Sequence, residues 1–263
     1  MRIMASVLLL AFDTATPAVT VALHDGTSVI AQYTEVDARR HGELLAPGIV
    51  RVLADAGRGR GELTDVAVGV GPGPFTGLRV GLVTALALGD ALGIPVHGIC
   101  TLDILAAAAA ERVGSGGDSD GDGNGDGQFA VAIDARRKEV YWARYQNRPS
   151  GGPVRLGDAA VDWPHVVADQ VAGMPVAGEG PVKYPLEFPD PIDPRLPGAA
   201  VLAGLAVARL AARGPSGGGD RPGDHSGDHR GGGEILPPYP LYLRRPDAVE
   251  PAAQKPVSSP ALR

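Results

Sequence analysis

Two carboxylates at the ends of apolar runs are the first residues in this chain that could do chemistry. Asp13 follows the run Ile3–Phe12 and is trailed by hydroxyls at Thr14 and Thr16; Asp134 closes the run Phe129–Ile133. A carboxylate in such a place can orient a phosphate or a metal, or simply cap a turn. A second group is the stretch GVGPGPFTGLR over 69–79, which reads as a strand, a Gly/Pro loop and the start of a helix. A helix N-terminus of this kind can cradle phosphate with backbone N–H groups. Against that, Pro72 and Pro74 each remove one N–H, and the Lys-Ser/Thr pair of a nucleotide-binding P-loop is missing. A rigid turn that fixes the helix entry angle is the better reading.

The histidines are His24, His41, His97, His165, His225 and His229. None sits in a triad or in metal-ligand spacing on a regular element. His225 and His229 lie four apart beside Asp224 and Asp228, but such a pair binds metal only on a helix that holds both rings on one face. Their neighbours are Gly, Pro and Ser, so the pair reads as solvated linker. Asp118, Asp120, Asp122 and Gly123 match the opening of an EF-hand loop. The twelfth position, however, is Phe129, where a bidentate Glu is required. The single cysteine, Cys100, excludes an intramolecular disulfide and any Cys-based zinc site.

These residues need elements to hold them. Ser6–Asp13 reads as a buried strand, Ala18–His24 as its return, and Ser28–Thr34 as a third strand after the turn at Asp25 and Gly26. His41–Ala56 has helical spacing and stops at Gly57. Val66–Val70 is a short strand. Thr76–Leu92 is a helix with Thr76 as N-cap and Gly93 as its stop. Ile94–Gly98 is a strand and Leu102–Val113 a helix. Beyond 127, Phe129–Asp134 and Glu139–Tyr145 are strands. Val176–Gly178 reads as a short strand, Ala199–Arg213 as a helix, and Tyr239–Arg245 as a segment that docks back on the body. Aligning Asp134 on Asp13 sets Ile133 on Phe12, Val140 on Val19 and Trp142 on Val21, a short repeat that opens each half. Within Thr76–Leu92, Gly77, Gly81, Ala85 and Gly89 recur every four residues. Glycine inside a helix costs up to about 1 kcal/mol relative to alanine, so such a stripe points to close backbone approach. It either packs on its own sheet or meets another subunit.

Composition narrows the function. The chain has 38 Gly and 24 Pro among 263 residues, and 16 of the glycines lie in 114–127 and 214–233. These two runs read as flexible insertions, and the remainder reads as an ordinary globular chain, long enough for two modest domains or lobes. A net charge of −6 argues against a protein that grips nucleic acid by its phosphates, though not against a subunit of a larger nucleic-acid enzyme. No apolar run reaches the length of a membrane span. Met1-Arg2 and the following apolar run resemble a short signal peptide, but Asp13 and the alternating Val19, Val21, Leu23 favour a strand pair and a cytoplasmic protein.

In order along the chain stand LAFDTAT (10–16), GPGPFTGLRVG (71–81), IPV (94–96), AIDAR (132–136) with EVYW (139–142), and PLYLR (240–244). This set resembles the TsaB (YeaZ) family, densely over 7–145 and thinly beyond. The resemblance implies an α/β fold of two lobes, like actin, heat-shock ATPases and sugar kinases, built from duplicated βββαβα units. It divides the chain into an N-terminal lobe (1–113), the insertion (114–127), a smaller second lobe (128–198), a helix (199–213) packing on the N-terminal lobe, the second insertion (214–233), and a closing segment with a loose tail (234–263). Active members hold nucleotide phosphate between two Asp hairpins. Here Asp13, Thr14, Thr16 and Asp134 would be a vestige of that site, because the second turn carries Arg136, Arg137 and Lys138 in place of glycines.

The catalytic paralogue, TsaD, has a metal-binding histidine pair after the strand corresponding to 94–96; this chain has His97 alone. The resemblance therefore implies a non-catalytic scaffold without metal or cofactor. It would pair with a TsaD-like subunit and, with a TsaE-like ATPase, serve threonylcarbamoyl transfer to the adenosine next to the anticodon of tRNA. Contact with tRNA would come only through that complex. The partner surface would be the two helices, at Leu45, Gly48, Ile49, Val52, Gly77, Gly81, Ala85 and Leu88, and a homodimer would be an option for the chain when alone. A metallopeptidase-like enzyme and a small-molecule kinase are the alternative readings. The missing histidine pair opposes the first and the altered second turn opposes the other.

Overall fold

The computed structural model describes residues 7–114, 127–149, 151–213 and 234–244. The run with Asp118, Asp120 and Asp122, the His225/His229 pair, the first six residues and the tail beyond 244 lie outside the described residues.

The first lobe runs β1 (Leu9–Asp13), β2 (Ala18–His24), β3 (Val29–Val36), α1 (His41–Asp55), β4 (Asp65–Gly69), α2 (Phe75–Leu92), β5 (Val96–Ile99) and α3 (Thr101–Ala109). The second runs β6 (Gln128–Asp134), β7 (Val140–Gln146), β8 (Val154–Asp162), α4 (Pro164–Gln170), β9 (Val176–Ala177), α5 (Gly180–Lys183) and β10 (Pro191–Ile192), and α6 (Ala199–Arg213) follows. The sheets are ordered β3-β2-β1-β4-β5 and β8-β7-β6-β9-β10. Both have antiparallel pairing on the hairpin side of the central strand and parallel pairing on the other. The two lobes are thus the same unit, as the repeat around Asp13 and Asp134 predicts. The second copy is reduced: α5 has 4 residues where α2 has 18.

The repeat alignment needs one correction. Asp13 pairs with Thr20, whereas Asp134 pairs with Val140. The second hairpin is one residue shorter, so Val140 matches Thr20 and Tyr141, not Trp142, matches Val21. Strand faces alternate residue by residue, so that single step decides which side chains enter which core. Val21 and Tyr141 accordingly both lie on core-facing positions, packed against Phe12 and Ile133 respectively.

One face of the first sheet packs on α1 and α2 through Leu10, Phe12, Val68, Leu45, Val52, Leu78 and Leu82. The other face takes α6, with Leu202, Ala203 and Ala206 against Leu9, Ala11 and Ala67. Helix α3 joins the lobes: Ile104 packs with α6, while Leu102, Leu105 and Ala106 pack on Phe129, Val131 and Ile133. The closing segment crosses both: Leu236 exchanges backbone hydrogen bonds of 2.8 Å with Gly98, and Leu241 N donates to Val70 O at 2.8 Å.

Helix α2 begins at Phe75 after Pro74, so Thr76 is not its cap. Gly93 ends it in the left-handed region at φ 66°, a conformation that glycine adopts without a Cβ penalty. At eighteen residues α2 is also long and apolar enough to cross a membrane, contrary to the reading that no run is. Its glycine-bearing face is buried against β4 and β1, and its opposite face is exposed. Strands β8 and β10 and helices α4 and α5 were absent from the sequence reading.

Candidate partner interface and the closed Asp hairpins

Asp13 is fully buried. Its Oδ1 accepts the Ala15 N–H at 2.7 Å and its Oδ2 accepts the Thr101 hydroxyl at 2.8 Å. Burial pushes this carboxyl above the usual carboxylate range, against the pull of those two bonds and of His41. A Cβ on Gly69 would stand 1.7 Å from Asp13 Oδ2, so glycine at 69 is what admits the carboxylate. Thr101 Oγ1 also accepts the Gly71 N–H at 3.2 Å, which binds the Gly/Pro loop to the same carboxylate.

Thr14 and Thr16 are as closed. Thr14 Oγ1 donates to Gly77 O at 2.8 Å and accepts the Gly81 N–H at 3.0 Å. Thr16 Oγ1 accepts from Ala18 N at 3.3 Å, and its carbonyl lies 2.7 Å from His41 Nε2. The Thr14 hydroxyl thus ties the hairpin to α2, the Thr16 hydroxyl is used within the hairpin, and the Thr16 carbonyl meets α1 through His41. Gly71, Pro72 and Gly73 are buried, and a Cβ on Gly73 would stand 2.2 Å from Ala15 O. The loop is packed onto the hairpin as a rigid turn. Beside it lies a cleft of about 260 Å³ whose lining includes Thr14, Thr16, Arg39, His41, Thr76 and Arg136.

The second hairpin is closed by charge. Asp134 Oδ1 accepts from Arg136 N at 3.0 Å and from Lys183 Nζ at 2.7 Å. Arg136, Arg137 and Lys138 all have left-handed backbone, at φ 63°, 52° and 64°. The turn keeps the shape that glycines would favour and fills it with cations. Glu179 sits nearby, its carboxyl raised to about 7 by burial and then by Asp134.

The small-residue stripe faces inward, against the chain's own sheet and hairpin, where the sequence reading predicts a partner. Leu45, Gly48, Ile49, Val52, Gly77, Gly81 and Ala85 are buried in the isolated chain, and Leu88 is half-buried. A Cβ on Gly48 would stand 2.7 Å from the Tyr33 ring, one on Gly77 2.6 Å from Thr14 O, and one on Gly89 2.4 Å from Val96. The glycines let α1 and α2 approach their own sheet and hairpin. The outward arcs hold other residues: Gly42, Ala46, Pro47 and Val50 on α1, and Phe75, Thr76, Arg79, Val83, Leu86 and Ala87 on α2, with Val80 half-buried. Val50 is 67% and Val83 64% exposed.

His97 is also engaged: its Nε2 lies 2.8 Å from Asp65 Oδ1. Burial raises the Asp65 carboxyl, but the hydrogen bonds from His97 and Thr64 carry it below its ordinary value. Among the described residues no group of three His, Cys, Asp or Glu side chains could hold a metal ion. Sequence reasoning missed a buried ionic cluster. Asp103 Oδ1 accepts the Tyr145 hydroxyl at 2.9 Å and Arg155 at 3.1 Å, and its Oδ2 lies 3.7 Å from Arg209. The cluster ties α3 to β7, β8 and α6. The one available signal was the Leu-Asp-Ile at 102–104, an acid inside an apolar helix.

The family described as "TsaD: tRNA N6-adenosine threonylcarbamoyltransferase" matches residues 28–213. An uncharacterized protein of Mycobacterium tuberculosis is 39% identical over 243 residues, 91% of this chain and 92% of its own length. The tRNA threonylcarbamoyladenosine biosynthesis protein TsaB of Escherichia coli is 36% identical over 143 residues, 54% of this chain and 57% of that protein. Among solved structures, YeaZ from Pseudomonas aeruginosa superposes with a TM-score of 0.64 at 34% identity, covering 79% of this chain and 93% of that one. An uncharacterized Pseudomonas aeruginosa protein with similarity to peptidase YEAZ superposes at 0.67 and 32% identity, covering 90% of this chain and all of that one. With both lobes, the inward-turned hairpins and these matches in agreement, the chain belongs to the TsaB/YeaZ family.

Proposed function

We propose that the chain is the non-catalytic partner subunit in the formation of N6-threonylcarbamoyladenosine in tRNA, acting in the cytoplasm beside a TsaD-type catalytic subunit and a TsaE-type ATPase. The observation that carries this reading is the opposition between the site and the surface. Both Asp hairpins spend their polar groups internally, while the outward arcs of α1 and α2 expose Ala46, Pro47, Val50, Val83, Leu86 and Ala87, an apolar strip bordered by Glu43, Arg51, Asp55, Arg79 and Asp90. An exposed aliphatic strip with a charged border is what a stable interface covers. The function named for the Escherichia coli relative supports the same reading. The alternative of a metallopeptidase-like enzyme draws no support from His97, whose ring is bonded to Asp65.

The test mixes the purified chain with unmodified tRNA and threonylcarbamoyl-adenylate, with and without the catalytic subunit. We expect no transfer by the chain alone and a stable complex with the catalytic subunit. Val83→Glu places a charge in the outward arc and should weaken that complex at least about tenfold, or 1.4 kcal/mol, with the melting temperature of the free chain unchanged. Transfer by the isolated chain would overturn the reading, as would failure of the two proteins to associate. A homodimer that Val83→Glu dissolves, and that the catalytic subunit does not displace, would assign the surface to a second copy.

A further inference from the structure

At the edge of the outward arc of α2 the side chains form an ordered stack. The Arg79 guanidinium lies over the Phe75 ring, 3.9 Å from its centroid. Phe75 stacks on Tyr242 with centroids 5.7 Å apart and planes 22° from parallel. Arg79 Nε donates to the Tyr242 hydroxyl at 3.3 Å. Tyr242 is brought there by the closing segment, which is pinned by Leu241 N to Val70 O and by an ion pair between Arg244 and Glu139. All three stacked side chains remain exposed, Phe75 by 54% and Tyr242 by 47%.

Arg79 makes no ion pair among the described residues, whereas Arg40, Arg51, Arg58, Arg155 and Arg244 each have a carboxylate. The stack uses Nε of an exposed guanidinium and leaves its two terminal nitrogens without a hydrogen-bond partner among the described residues, so a bidentate donor pair stays available. That pair matches a carboxylate in geometry and charge. Ordering the side chain in advance removes the entropy that a free arginine loses on binding. The neighbours along the arc, Val83 and Leu86, are apolar and exposed, which suits a protein partner and offers nothing to a run of phosphates.

We infer that Arg79, held by Phe75 and Tyr242, is the receptor for an Asp or Glu side chain of the catalytic subunit, and that the closing segment is therefore part of the partner surface. This rests on the reading above, that α2 docks a TsaD-type subunit. Buried Arg and Tyr anchors with apolar surroundings are the usual hot spots of such interfaces.

The experiment measures affinity of the full chain for the catalytic subunit by titration, with melting temperatures of the free chain alongside. Arg79→Ala should weaken binding at least about thirtyfold and Arg79→Lys about tenfold, because lysine keeps the charge but not the fork. Tyr242→Phe keeps the stack and removes the hydroxyl, and should cost a few-fold. None should move the melting temperature appreciably. Arg79→Glu should abolish binding, and one Asp→Lys or Glu→Lys change in the catalytic subunit should restore it. Wild-type affinity in Arg79→Ala, or no restoring change on the partner, overturns the inference while leaving the docking of α2 standing. If the wild-type chain does not bind the catalytic subunit, the functional reading itself falls and the inference with it. If Arg79→Ala instead removes binding of tRNA by the chain alone, the receptor is for phosphate and the inference is wrong.

Discussion

Adding one methyl at Gly81 should destabilise this protein, and removing one hydroxyl elsewhere should reverse the sign. A Cβ on Gly81 would stand 2.6 Å from Thr14 Oγ1, closer than real Cβ atoms approach an oxygen. That hydroxyl cannot simply swing aside, because it donates to Gly77 O at 2.8 Å and accepts the Gly81 N–H at 3.0 Å. Replacing glycine by alanine inside a helix gains up to about 1 kcal/mol. Overpacking a buried contact costs about 1–3 kcal/mol, and each displaced buried hydrogen bond about 1 kcal/mol more. Gly81→Ala should therefore lose roughly 1–3 kcal/mol net, a fall of several degrees at ~2–4 °C per kcal/mol for a protein of this size. Thr14→Ala is itself destabilising, since it abandons the two bonds. In that background the nearest atoms to the new methyl become the residue 14 Cβ and Val68 Cγ2, both 3.7 Å away, ordinary contacts. There Gly81→Ala should stabilise by up to about 1 kcal/mol. Urea or thermal unfolding of the four proteins of the cycle measures this directly. If Gly81→Ala is neutral or stabilising in the wild-type background, or if it loses the same amount with and without the Thr14 hydroxyl, the account of the stripe as a contact with the hairpin is wrong.

Two further outcomes follow from the ionic groups. Asp103→Ala leaves Arg155 and Arg209 facing each other in the interior without their carboxylate, and should cost about 3–5 kcal/mol, read as a fall in melting temperature on the order of 10 °C; a fall of only a degree or two would mean that the cluster is dispensable. Glu179 has its carboxyl raised to about 7 by burial, so between its unfolded value near 4.5 and about 7 the unfolded chain has released a proton that the folded chain retains. Its contribution is present below pH 4.5 and is lost as the pH rises through that window, at up to about 1.4 kcal/mol per pH unit. Glu179→Gln should match the wild type near pH 4.5 and exceed it in stability at pH 8, and equal stability of the two at pH 8 would refute the assignment.

Much of the architecture is legible in the residues themselves. The apolar run to Asp13, the alternation of Val19, Val21 and Leu23, and the spacing of Leu45, Ile49 and Val52 define β1, β2 and α1 because period-2 and period-3.6 patterns are local properties. Gly93 marks the end of α2 for the same reason. The repeat of Asp13 in Asp134 announces the two lobes. What could not be read lies in the second lobe: β10 has two residues and α5 four, too few to carry a period, and β8, although nine residues long, has no alternation of buried and exposed positions to announce it. The one-residue difference between the hairpins was equally hidden, since the sequence-based alignment set Val140 on Val19 and Trp142 on Val21, apolar on apolar, and only the strand pairing shows that Val140 stands at the place of Thr20.

The direction of the glycine stripe shows where sequence stops. Gly77, Gly81, Ala85 and Gly89 on one helical face dictate that some backbone comes close, and nothing local says whose. The answer lies 60-odd residues away in chain order, at Thr14, whose hydroxyl fills the space that a side chain would occupy. The same holds for Arg79. Its charge and its place on α2 are set by the sequence, but its orientation comes from Tyr242, which lies 163 residues further along and reaches it only because the closing segment crosses both lobes. Sequence determined the elements, their duplication and the family, because those depend on patterns between neighbours. Which face of each helix is spent inside and which is left for a partner depends on contacts between residues remote in the chain, and only the tertiary structure decides that.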